Sequence, residues 1–129
     1  MSVLSEFKTA LKTYLGATYY YRKAPSTATY PYKVGSFNGS FDDENAEVYA
    51  LELDYWDDGN DDDAVYTLIA ADMGNGDSVN PTGLNKKKFH LASGTVVLAK
   101  DTEVQVEDPD NEIIHIRVSM TARIYRKEL

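Results

Sequence analysis

The chain of 129 residues contains no cysteine. That absence removes disulfides, thiolate metal sites and cysteine nucleophiles together, and it fits a reducing compartment. Long apolar runs are missing too. No window approaches the ~18 apolar residues of a membrane helix. The N-terminal MSVLSEFKTALKTYLG carries Glu6, Lys8 and Lys12 where a signal peptide has an unbroken apolar core. The expectation is a soluble protein, made and kept in a cytoplasm and independent of membranes. Positive charge is missing from one long interval: no lysine or arginine lies between Lys33 and Lys86, yet 13 of the 21 acids do. With a net charge of −8 the chain lacks the basic footprint that gripping nucleic acid requires.

What is present is an uneven charge pattern on a chain of ordinary domain size. Outside that interval all 13 basic residues stand against the other 8 acids. The middle third is acidic and the ends are mildly basic. Faces of opposite sign can steer one subunit onto the next. A single domain over residues 1–129 is expected, long enough to bury a full core.

Hydrophobic periodicity sets out the elements. Val3, Leu4, Phe7, Leu11, Tyr14 and Leu15 recur at three and four, a helical stripe. Ser2 can cap its start and Gly16 can end it. ATYYYRKA is rich in strand-forming aromatics, and Pro25 and Pro31 mark the next segment as a loop or edge connection. YPYKVGSFNGSF reads as a strand running into a turn at Asn38-Gly39, and FDDENAE as a break in order. VYALELDYW alternates, with Tyr49, Leu51, Leu53 and Tyr55 on one face and Glu52, Asp54 and Trp56 on the other. DDDAVYTLIAADMG is helical, with only Asp72 spoiling its apolar stripe, and Gly74 and Gly76 end it. NGDSVNPTGLN is a loop. KKFHLASGTVVLAK and TEVQVE form one strand interrupted near Ser93-Gly94, or two. IIHIRVSMTARIYR is the last strand, its Ile114, Ile116, Val118, Met120, Ala122 and Ile124 alternating against polar residues. The order predicts an α+β fold: a mainly antiparallel sheet with two helices packed on one face.

LELDYWDDGNDDDAVYTLIAADM places eight carboxylates beside the one tryptophan. A calcium-binding helix-loop-helix is excluded by spacing. With Gly59 at the sixth position, Trp56 falls at the third and Val65 at the twelfth, where oxygen ligands are needed. A structural account explains more of these residues. Asn60 stands where an N-cap belongs. Asp61, Asp62 and Asp63 fill the first turn, against the positive end of the helix dipole. Asp57, Asp58 and Gly59 are turn formers. A paired-carboxylate hydrolase would need a cleft and two acids with separated pKa values. His90 and His115 lie in strands without a partner at metal-ligand spacing. SGT lacks the context of a nucleophile elbow, and GNGDS follows a helix where a phosphate loop would precede one. No enzyme, no metal and no cofactor is expected. The ten tyrosines fit core and interface better than nucleic-acid stacking, which works beside a positive groove.

Three local features carry a resemblance. An aromatic stretch leads to Ala24-Pro25, YPY spans Tyr30 to Tyr32, and LELDYWD from Leu51 to Asp57 enters a helix. Together with the N-terminal helix and the closing RIYR strand, this order resembles the tail-terminator (tail-completion) proteins of long-tailed bacteriophages. The resemblance implies a small α+β virion subunit that forms a homo-oligomeric ring, typically of six. The ring caps the head-proximal end of the tail tube, stops its polymerisation and meets the head-tail connector. DNA would only pass through. The short second helix and the acidity of FDDENAE depart from the family. In such a ring, some of Asp42, Asp43, Glu44 and Glu47 would face the channel and repel phosphate, and divalent cations would help assembly by screening like charge. Other readings are a stopper or other joining protein, a tail tube subunit, or a monomeric tyrosine-rich binding module.

Overall fold

Helix α1, Val3–Leu15, starts and stops where its sequence signals stand. The Ser2 hydroxyl accepts from the Ser5 amide at 3.1 Å, and Gly16 ends the helix at φ 86° with its N–H on the Lys12 carbonyl. Val3, Phe7, Leu11 and Leu15 are its buried stripe. The computed structural model describes residues 2–43, 46–59, 62–110 and 112–127, Asp43 by its backbone alone. After α1 come β1 (Tyr19–Tyr21), β2 (Tyr32–Asp43), β3 (Ala46–Asp58), α2 (Asp63–Met73), β4 (Lys88–Leu91), β5 (Gly94–Val106) and β6 (Ile113–Arg126).

The strands form one curled six-stranded sheet in the order β1-β2-β3-β6-β5-β4. Four of its pairings are antiparallel, but β1 lies parallel to β2, with Tyr20 opposite Val34. The sheet is therefore mixed, not wholly antiparallel. The physical reason lies in the Pro-bearing 22–31 segment. It is too long for a hairpin turn and returns the chain so that β2 starts beside β1 in the same direction.

One face of the sheet is the core. Leu51, Leu53 and Tyr55 of β3 alternate inward with Ile114, Ile116, Val118, Met120, Ala122 and Ile124 of β6 and Val96 and Leu98 of β5. Both helices cover this face. Phe7 of α1 meets Phe37 and Phe89 edge to face, and Val65, Ile69 and Met73 of α2 join the same cluster. Each such buried side chain is worth about 1.5–3 kcal/mol over leaving it in water. Glu6 ties the helix to the β4–β5 turn, accepting from the Ala92 amide at 3.0 Å and the Ser93 hydroxyl at 2.6 Å.

Three sequence-based expectations need correction. Asn38-Gly39 is not a turn. β2 runs through it, with the register slipping between Asn38 and Ser40 and Gly39 at φ 72°. A glycine in the left-handed region serves a β-bulge as readily as a hairpin. The strands also reach into FDDENAE from both sides: Asp42 pairs with Glu47 and Asp43 with Ala46, while Glu44 and Asn45 between them lie outside the described residues. The regular part of α2 begins at Asp63. Asp62 occupies the cap position in a helical backbone conformation and makes no side-chain cap bond. The open question over the C-terminal third is also resolved. The chain turns at Ala92-Ser93, and β5 then continues unbroken to Val106, its register shifting between Lys100 and Thr102.

Candidate functional site

Two polar clusters sit on opposite faces of the sheet. On the helix side, Lys33 of β2 stands opposite Tyr19 on one neighbouring strand and Tyr55 on the other. Its side chain is 3% exposed. The Lys33 ammonium donates to Asp72 Oδ2 at 2.6 Å, and the Tyr55 hydroxyl donates to the same oxygen at 2.8 Å. Asp72, which spoils the apolar stripe of α2, is thus the counter-charge of a buried lysine. It pins α2 to β2 and β3. Burial pushes the Tyr55 phenol far above its usual range, and the adjacent Asp72 charge pushes it further. The cluster acts as a clamp between α2 and the sheet.

On the outer face, β3 and β6 align Asp54 with Arg117 and Trp56 with His115. His115 Nε2 lies 2.6 Å from Asp54 Oδ1 and Arg117 Nε lies 2.9 Å from it. Arg117 also approaches Glu52 at 3.2 Å. The Trp56 ring stacks on His115 with centroids 3.7 Å apart. Burial alone would raise the Asp54 pKa, but the hydrogen bonds from His115 and Arg117 outweigh it and hold the carboxyl below its usual value. Arg117 is raised in turn by its bond to Asp54. The arrangement joins a histidine to a carboxylate as in catalytic dyads. Here, however, no hydroxyl is bonded to His115 among the described residues, and the Trp56 indole stacks on its ring. Among the described residues no group of three His, Asp or Glu side chains is placed to hold a metal ion.

The acids singled out from sequence are scattered. Asp42 is exposed in β2, opposite Glu47. Glu47 is engaged: Arg126 Nε donates to it at 2.5 Å and the Tyr49 hydroxyl at 3.2 Å. The Arg126 bond holds its pKa low. Asp43 ends β2, and Glu44 lies outside the described residues. In the helix-start group, Asn60 and Asp61 also lie outside them. Asp62 and Asp63 flank the start of α2, Asp63 in its first turn.

Among the described residues, open recesses on the surface include three of note. One of ≈ 280 Å³ lies over the outer sheet face, with Val34, Asp54 and Trp56 as floor and Arg22 to Ala24 as wall. A second, ≈ 240 Å³, is basic: Lys86, Lys87, Lys88 and His90 line it with Val79 and Pro81. The third, ≈ 500 Å³, is acidic: Asp58, Asp110 and Glu112 surround Tyr30 and Ile113.

Sequence reading missed both clusters and the opposed recesses. Asp72 on an apolar stripe was a signal, since a charge in a buried row calls for a partner. Asp54 and His115 gave none, because only the β3–β6 register brings them together. No helix is long and apolar enough to cross a membrane.

No family model matches the sequence, and no curated relative does. Among solved structures, the fold is similar to that of a chain in the virion of a native gene transfer agent particle. The TM-score is 0.53 at 13% identity, over 98% of this chain and 92% of that one. At that identity the likeness is one of fold.

Proposed function

We propose that this chain is a non-enzymatic structural subunit of a phage-like virion, acting as a tail terminator. It forms a homo-oligomeric ring, typically of six, on the head-proximal end of the tail tube. The ring halts tube polymerisation and offers its other side to the head-tail connector, while DNA passes through without being gripped. The observation that carries this reading is the end-to-end likeness of fold to a gene transfer agent virion chain, with 98% and 92% of the two chains covered. The resemblance of the Ala24-Pro25 approach, the YPY and the LELDYWD strand to tail terminators supports the finer assignment. So does the absorption of the chemistry-bearing side chains. Asp54, His115, Arg117 and the Lys33–Asp72 pair are committed to one another.

In the ring, some of Asp42, Asp43, Glu44 and Glu47 stand at the channel wall, where negative charge repels the sliding genome. Glu47 contributes least, since Arg126 already neutralises it. The site of action is the virion tail, and assembly takes place in the host cytoplasm.

The test is reconstitution. Purified tube protein polymerises alone or with this chain, and tube length is measured by negative-stain microscopy. Tubes that stop growing and carry a ring at one end are expected. Unaltered tube length with the protein left free in solution would sink the proposal.

A further inference from the structure

A ring needs two different surfaces on each subunit that fit one another, and the structure carries a pair that the clusters above do not use. The first is built on the 74–86 loop. Gly74 and Gly83 approach so closely that a Cβ on Gly74 would lie 2.2 Å from the Gly83 nitrogen. Asn75 Oδ1 accepts from the Asp77 amide at 3.0 Å and the Thr82 amide at 3.1 Å, and the Thr82 hydroxyl accepts from the Asn75 amide at 2.9 Å. Leu84 anchors the loop, fully buried in the core. This braced loop holds Val79 80% exposed. Beside Val79 stand Lys86, Lys87 and Lys88, all lining the same basic recess. Lys86 and Lys88 form no ion pair among the described residues.

The second surface is the acidic recess at the other end of the sheet. Asp58, Asp110 and Glu112 surround an apolar floor of Tyr30 and Ile113. The Gly59 amide donates to the Glu112 carbonyl at 2.8 Å and fastens its two walls together. Its ≈ 500 Å³ takes a loop tip rather than one side chain. None of the three carboxylates has a lysine or arginine partner among the described residues.

We propose that these surfaces bind each other between copies of the chain. Val79 enters the recess of the next subunit against Tyr30 and Ile113, and Lys86 and Lys88 meet Asp58, Asp110 and Glu112. Charge complementarity chooses the partner: one chain carries both halves, and among the described residues neither half has a partner of opposite charge, the Asp110 carboxylate accepting only from the Glu112 amide at 3.0 Å. The recess repels nucleic acid, so DNA is not its occupant. Because the two surfaces differ, the contact is heterologous and runs head to tail, which closes into a ring when the rotation per subunit allows. The braced loop lowers the ordering cost of docking. This inference rests on the ring reading and supplies its subunit contact.

The test uses charge reversal in the full chain. Variant one carries Lys86→Glu and Lys88→Glu; variant two carries Asp110→Lys and Glu112→Lys. Sedimentation over a wide concentration range, with negative stain of the heaviest fraction, reads assembly. Each variant alone should assemble at least about tenfold more weakly than wild type, and an equimolar mixture should recover rings by alternating the two. High salt should weaken the wild type, since the screening length falls to about 3 Å at 1 M. A direct readout exploits the absence of cysteine. Val79→Cys mixed with Ile113→Cys should form an intermolecular disulfide, while Val79→Cys mixed with Tyr14→Cys should not. Wild-type rings that survive both reversals overturn this contact and leave the ring reading standing. Two weakened variants that fail to rescue each other also overturn it, and point to another virion protein as the occupant. A wild type that stays monomeric in solution and on tail tubes overturns the ring reading and this inference together.

Discussion

Asp72→Ala should be among the most damaging single substitutions in this protein. The Lys33 side chain is 3% exposed and its ammonium is paired with Asp72 at 2.6 Å. Removing the carboxylate leaves a buried, unpaired cation and costs about 3–5 kcal/mol. It also leaves the Tyr55 hydroxyl, 2.8 Å from the same oxygen, without its acceptor, for a further ~1 kcal/mol or more. Domains of this size carry roughly 5–15 kcal/mol in all, so the variant should unfold well below the wild type, by about 15–20 °C in Tm. Replacing the charges together reverses the logic. In Lys33→Met with Asp72→Leu and Tyr55→Phe, no polar group is left stranded, and such replacements are often neutral or stabilising. Urea unfolding, followed by the fluorescence of the lone Trp56, measures the series by linear extrapolation. The combined variant should lie within about 2 kcal/mol of wild type, far above the sum of its parts. A loss below about 1 kcal/mol for Asp72→Ala, or strictly additive effects, would refute the account of Asp72 as counter-ion to a buried lysine.

Three further outcomes are expected. Asp54→Asn should lower stability at neutral pH by about 1–2 kcal/mol, with allowance for the partial exposure of the carboxylate. Because the folded-state pKa of Asp54 is depressed below 3.8, its contribution is present above about pH 4 and lost as pH falls through the folded value. The wild type and the variant should therefore converge in acid, and a gap that stays constant between pH 3 and 7 would contradict this. Gly39→Ala should cost about 1–2 kcal/mol through backbone strain alone. The residue sits at φ 72°, with nothing within 4 Å of an added Cβ, so an unchanged urea midpoint would show that the bulge can relax. Asn75→Ala should free the amides of Asp77 and Thr82, whose acceptor is Asn75 Oδ1. Hydrogen exchange should then quicken at those two positions while the strand amides of β3 and β6 keep their protection; unchanged exchange would mean that the loop is held without this side chain.

What local sequence determined here was everything that depends on neighbours in the chain. The 3.6-residue stripe and its two end signals gave α1 between Ser2 and Gly16. Strict alternation gave the inner faces of β3 and β6, because a strand with one buried face has only one register of apolar residues. Pairing between distant segments was decided only by the tertiary structure. Asn38-Gly39 carries the same signal for a hairpin and for a bulge, and the choice fell to the bulge because β2 stays paired with β3 on both sides of it, with the register shifted across it. The parallel β1, the meeting of Asp54 with His115 and the burial of Lys33 under Asp72 follow from strand order and helix placement. The acidic middle of the chain was plain from the count of charges. That Asp58 from this stretch meets Asp110 and Glu112, far along the chain, in a recess around Tyr30 and Ile113, while the lysines gather beside Val79, depends on contacts between distant segments, and composition and periodicity carry no information about those.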